Sequence, residues 1–300
     1  MAVEASRLHP RRRAFRSADA GGPRYPAWLA LPATAWYALF FLGPLGIMAV
    51  FSVSRREGYT DVVYDFTLAN FEYLWDPLYG DVFLRTLGLA LFGTAATLVV
   101  GFPFAYYLAR YARHKTLLLL LVIVPFWTSF LIRTYSWLII LSPDFFVFRW
   151  LRDAGITGAD FNLLYTREAI YIGVVYNYLP LMVLPLYAAL ERMDWTLVEA
   201  AEDLGDPPLR AFRRVTLPLV LPGVIAGSLL VFIPLTGEYL IPVILGGDLT
   251  VFAGNLIAQQ FLTARDWPFG AAIAMVVVGA MTAAILVFAR LASREEQYGG

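Results

Sequence analysis

The chain has no cysteine, two histidines and one lysine among its 300 residues. Without cysteine there are no disulfides, iron–sulfur clusters, thiolate zinc sites or thiol nucleophiles. His9 lies near the N-terminus and His114 in a short polar stretch, so no long apolar run carries a haem-ligating histidine. The lone lysine, Lys115, follows His114 far from any glycine cluster. The phosphate-cradling pattern G-x-x-x-x-G-K-[ST] is therefore missing, and this chain is not an ATPase. Charge is scarce as well: 15% of residues against about 25% in soluble domains.

What remains is mostly apolar, 59% of the chain. A bilayer crossing needs about 20 apolar residues. Four uncharged runs qualify alone: 25–54, 86–109, 169–190 and 267–289. Two more are each broken by one charge, 116–143 by Arg133 and 215–247 by Glu238. The expected fold class is all-α, a polytopic membrane protein with six transmembrane helices. The first run is too long for the roughly 7–15-residue core of a cleaved signal and reads as a retained anchor.

Arginines set the expected orientation. With six spans, both termini share a side with the stretches near 110–116 and 191–214, and that side holds fifteen Lys and Arg against six on the other. Cytoplasmic loops carry this excess, so both termini and 191–214 are expected in the cytoplasm. The Arg-rich first 25 residues are expected to be disordered against anionic lipid. The outer loop 55–85 mixes acids with aromatics, and 142–168 is long enough for a short interfacial helix. Trp28, Trp36, Trp127, Trp137 and Trp267 flank spans as lipid anchors do. Nine prolines lie in the runs (Pro44, Pro103, Pro125, Pro180, Pro185, Pro218, Pro222, Pro234 and Pro242), where they kink helices whose neighbours re-satisfy the backbone.

The most structured polar segment is EAAEDLGDPPLRAFRRVTLPLVLPG, residues 199–223. Locally it predicts two short helices over 194–215. Asp194 caps the first, whose apolar positions Leu197, Ala200, Ala201 and Leu204 share one face. Gly205 supplies a left-handed stop. Asp206 caps the second, with Pro207 at its first position and Arg213 and Arg214 in its last turn. The two alanines leave a surface bare of bulk on a helix outside the membrane.

Glu199-Ala200-Ala201, Gly205, Val215, Leu217 and Pro218 resemble the cytoplasmic loop signature of ABC-importer permeases, with Val215 where that family has isoleucine. The resemblance implies a type I importer fold and a coupling helix that docks into a separate ATPase. PFWTSFLIRTYSW (125–137), YIGVVYNYLPLMVLPLYAALERMD (171–194), VFIPLTGEYLIPVILGG (231–247) and RDWPFG (265–270) are similar to the putrescine/spermidine branch, over about 82–290. Related branches carry iron, sulfate or sugars. The implied partners are a second permease subunit, two ATP-binding subunits and an external solute-binding protein. No cofactor is expected on this chain; ATP with Mg belongs to the ATPase subunits. The implied organisation is a basic tail 1–27, a first span and outer loop 28–81, a permease core 82–290 with coupling loop 191–218, and a tail 291–300.

No catalytic or metal residues are assigned. An intramembrane enzyme would need paired acid/base or metal-binding groups at depth, and apart from tyrosines the spans hold only Arg133 and Glu238. A solo ion-coupled transporter would show internal repeats, which are not visible. The candidate substrate path or gate comprises Glu238, Tyr239, Arg133, Tyr176 and Tyr178. Counting a 1.5 Å rise along straight helices places Arg133 roughly 25 Å and Glu238 roughly 30 Å from the inner boundary. Two readings follow. Either the two charges pair with each other or a neighbouring helix, or Glu238 meets an incoming ammonium with tyrosine rings beside it.

Overall fold

The computed structural model describes Trp28 and residues 31–58, 61–158, 160–247 and 250–296, with side chains through residue 286. The basic tail and Tyr59 lie outside the described residues. The chain divides into two units at Gly46. Helix α1 (Leu31–Ser52) crosses that boundary, and the packing below is that of residues 47 onward.

A hairpin follows, β1 (Arg55–Glu57) antiparallel to β2 (Asp61–Val63) with Arg55 opposite Val63. The buried Asn70 at the start of α2 (Ala69–Tyr73) donates to the carbonyls of Ser52 and Ser54 at 3.0 and 2.8 Å. Helix α3 (Pro77–Arg110) begins nine residues before the uncharged run 86–109. Asp76 accepts from the Leu78 N–H at 2.9 Å and Pro77 occupies the first turn. The 34 residues of α3 extend about 51 Å, so Asp81 and Arg85 ride on a part that outreaches the roughly 30 Å hydrocarbon layer.

The expected straight span over 116–143 is instead two helices, α4 (Lys115–Phe126) and α5 (Phe130–Ile140), which meet at 93°. Pro125 withdraws a backbone donor just before the corner, and the Thr128 hydroxyl holds the turn by donating to the Pro125 carbonyl at 2.6 Å. The straight-helix depth assigned to Arg133 is thereby corrected. After α5 comes the short helix expected within 142–168, α6 (Phe146–Asp153).

Helix α7 (Arg167–Glu191) is central. Thr166 caps it by accepting from the Ala169 N–H at 3.2 Å. Its buried positions include Gly173, Val174, Asn177, Tyr178, Met182 and Leu186, more than one helical face, because α3 packs on one side and a later span on another.

After α8 (Thr196–Asp203) comes α9 (Pro208–Thr236), a single run with a π turn at Phe212–Thr216. The expected second short helix is therefore the foot of a span, and Arg213 and Arg214 lie near a helix start rather than in a last turn. The expected span 215–247 ends at Thr236; a break at 237–239 leads to α10 (Leu240–Gly246), which packs on α5 and α7. Helix α11 (Ala253–Gln259) continues through a π turn at Gln260–Ala264 into α12 (Trp267–Glu296). Among the described residues five helices are thus long and apolar enough to cross a membrane, six if the bent α4–α5 pair is counted as one span. Helix α12 runs on to Glu296, into the stretch expected as a tail.

Candidate functional site

Helix α8 and its exit form one candidate region. Asp194 Oδ1 accepts from the Thr196 N–H at 3.0 Å and from its hydroxyl at 2.8 Å, starting the helix as expected. These two bonds hold the exposed Asp194 carboxyl below its usual range. The exit is a paired closure: the Gly205 N–H donates to the Glu202 carbonyl at 2.9 Å and the Asp206 N–H to Ala201 at 3.1 Å. Gly205 has φ +94°, which a residue with a side chain adopts only with strain. Asp206 does not cap the next helix. Its carboxylate faces Arg210 and Arg214 at 3.4 and 3.5 Å, because the helix start is formed by Pro207 and Pro208 and offers fewer backbone donors.

The apolar face of α8 points away from this chain. Leu197 is 48% and Leu204 90% exposed, and Glu199 and Ala200 are exposed between them. Val198, buried, turns inward, and Ala201 is half-buried against the core cluster. Leu217 and Pro218 begin the apolar part of α9 directly above the π turn. A helix that buries one valine and shows leucines to solvent is built to be covered by something else.

The second region is the break between α9 and α10. Glu238 is buried, 7% exposed, and both of its carboxylate oxygens accept hydrogen bonds. One oxygen accepts from the Leu240 and Ile241 N–H groups at 2.9 and 3.1 Å. The other accepts from the Tyr178 hydroxyl at 2.5 Å, which ties the break to the middle of α7. The start of α11 is drawn against the same break. A side chain at Gly254 would meet the Gly237 and Glu238 carbonyls at 2.7 and 2.8 Å, so only glycine fits there. The Ala253 N–H donates to Thr86 on α3 at 2.8 Å, and Asn255 bridges the Phe252 N–H and the Tyr239 carbonyl.

Arg133 does not join this set. Its guanidinium lies over the rings of Phe126 and Phe130, 5.0 and 5.8 Å from their centroids. No carboxylate among the described residues is within ion-pair reach, and its buried Nε has no hydrogen-bond partner. Phe130 stands between the two charges, since its ring also meets Tyr178 edge-on at 6.3 Å. The expected Arg133–Glu238 pair is thus corrected; Glu238 is held by the neighbouring helix instead.

Beside the break, α10, α11 and the following π turn line a groove of about 330 Å³. Tyr239, Thr250, Asn255, Gln259 and Thr263 supply its polar lining, Val243 and Leu262 apolar parts.

Residues 98–294 match the family of binding-protein-dependent transport system inner membrane components. The chain belongs to this family. It is 43% identical to the spermidine/putrescine transport system permease protein PotB of Escherichia coli (strain K12) over 257 residues, 85% of this chain and 93% of PotB. PotB of Haemophilus influenzae is 38% identical over 85% of this chain and 90% of its own length. A crystal structure of a bacterial ABC transporter that imports the acidic polysaccharide alginate superposes with a TM-score of 0.70, covering 89% of this chain and 96% of that one, at 16% identity. A second, of the alginate transporter in complex with its pentasaccharide-bound periplasmic protein, gives 0.65 over 89% and 95%. At that identity the likeness is one of fold, the all-α permease fold expected from the sequence.

Within this inner-membrane permease, the structure brings Tyr178 and Glu238 together and sets Arg133 within electrostatic reach of Tyr176, away from Glu238. Tyr176 turns away from Tyr178 and packs edge-on against Trp137 at 5.3 Å. Tyr239, next to Glu238 in sequence, opens on the groove while the carboxylate does not. Sequence reasoning missed Thr250, Gln259 and Thr263. Residues 259 and 263 are one helical turn apart, and that spacing was the available signal.

Proposed function

We propose that this permease forms half of the translocation path of an ATP-driven importer for polyamines, cations of the putrescine and spermidine type. The substrate class rests on the 43% identity to PotB, carried over 93% of that protein's length. It works with a second permease subunit, two ATP-binding subunits that carry ATP and Mg, and a solute-binding protein outside. The outward leucines of α8, with Glu199, Ala200, Ala201 and Gly205, form the surface that meets an ATPase subunit, and Leu217 and Pro218 pass its movement into α9. A ligand-dependent conformational change requires one state to be favoured over another. Here ATP-driven closure of the ATPases supplies that bias, and the spans open outward to take substrate from the binding protein.

Uptake of labelled putrescine and spermidine by a host lacking its own polyamine uptake, supplied with the whole importer, tests the reading. Saturable uptake of either supports it; uptake of sulfate, sugar or iron alone would overturn the substrate class. Ala200→Trp tests the docking surface, because Ala200 is exposed and its enlargement leaves this chain's packing intact. Correct insertion with lost uptake is expected, and normal uptake refutes the surface. Orientation is tested on the naturally cysteine-free chain. Ser142→Cys should react with an impermeant maleimide in intact cells and Leu209→Cys should not.

A further inference from the structure

The groove between α10 and α11 has an unusual combination of properties for a membrane-spanning protein. Tyr239, Thr250, Gln259 and Thr263 line it, and none of their side-chain polar groups has a hydrogen-bond partner among the described residues. The outward faces of the long spans differ: α3 shows Leu84, Leu87, Leu91, Phe92 and Val99. Hydrocarbon leaves unpaired polar groups uncompensated at several kcal/mol each, so a wall with four of them is made to meet water or a polar ligand. The break contributes Tyr239 to the groove, while Glu238 turns its carboxylate inward to Tyr178 and α10.

We infer that this groove is the substrate-facing wall of the path, and that it handles the polyamine through neutral oxygens and the Tyr239 ring rather than through the Glu238 carboxylate. This rests on the polyamine reading above. The lining suits such a ligand piece by piece. Ammonium groups find the Gln259 carbonyl, the Thr250 and Thr263 hydroxyls and the face of Tyr239. Methylene segments find Val243 and Leu262. No charged side chain lines the groove among the described residues, and this has a mechanistic consequence. A path must attract its ion enough to admit it and weakly enough to release it, and a carboxylate on the wall would hold a polycation. Glu238, buried one residue behind Tyr239, keeps the wall's shape instead of binding the cargo.

Cysteine accessibility in the assembled importer decides this. Gln259→Cys and Thr263→Cys are placed singly in the chain, with the other subunits made cysteine-free, and a trimethylammonium thiosulfonate is added during uptake. Both positions should react and lose uptake, putrescine should slow the reaction, and Val99→Cys on the outer face of α3 should stay unreactive. Unreactive 259 and 263 would overturn the inference, showing the groove covered by lipid or by the second permease. Reaction without protection, in an importer that does take up putrescine, would also overturn it while leaving the proposed function standing. Reaction and protection by a different substrate, with no polyamine uptake by the unmodified importer, would instead overturn the substrate class and keep the groove as the path.

Discussion

Two of the apolar runs of this permease, 116–143 and 215–247, are interrupted, and the interruptions are built differently. At α9–α10 the interruption contains an acid, and Glu238 takes up the Leu240 and Ile241 N–H groups that a helix start leaves free. At α4–α5 the interruption contains no acid, and no side-chain oxygen caps α5. Its nearby charge, Arg133, has only donors to offer, and a helix start offers only donors in return. An arginine therefore cannot close a helix start, whatever its depth. It settles over Phe126 and Phe130 instead. Both charges look alike in sequence, as single interruptions of apolar runs, yet one is structural cement and the other is not.

The largest effect should come from Glu238→Leu, which strands two N–H groups and the Tyr178 hydroxyl in a buried place. A loss on the order of 3 kcal/mol or more is expected, read as collapse of folded yield in detergent. Glu238→Gln keeps one acceptor and should cost about 1–2 kcal/mol. Yield and total uptake should then fall together while uptake per folded transporter holds; a selective loss of uptake at normal yield would return Glu238 to the cation path. Arg133→Met removes a charge that has no ionic partner among the described residues. Melting temperature should change little, within about 0.5 kcal/mol, and a large destabilisation would reveal a partner for Arg133 outside this chain. The smallest effect lies outside the membrane, where Asp194 repeats the Glu238 arrangement in water. Its carboxyl is held low by the Thr196 bonds, so its folded value lies under the unfolded one. The stabilisation is therefore present above the ordinary carboxylate range and lost as pH falls below about 4. Hydrogen exchange of α8 should become faster there, and Asp194→Asn should remove that dependence.

Much of this was legible in the sequence. Composition alone announces the spans, because hydrocarbon demands runs of about 20 apolar residues. The Gly205 stop and the Asp194 start were legible for a second reason: their hydrogen bonds close within five residues, inside the reach of a local pattern. The same local reasoning failed at Asp206, where Arg210 and Arg214 competed for the carboxylate. It failed again at 116–143, since a run of apolar residues is equally compatible with one straight helix and with two at 93°.

The partners of the buried charges were beyond the sequence altogether. Tyr178 stands sixty residues before Glu238, and Thr86 lies 167 residues before the Ala253 N–H it receives. No periodicity links positions that far apart; they meet because α3, α7 and α9 pack side by side and bring the break against them. The chain's order along the sequence thus determined that it crosses a membrane and where its cytoplasmic-type loop turns. Only the packing of helices distant in sequence decided which acid is buried as a clasp, which arginine is left without one, and which polar side chains face a common groove.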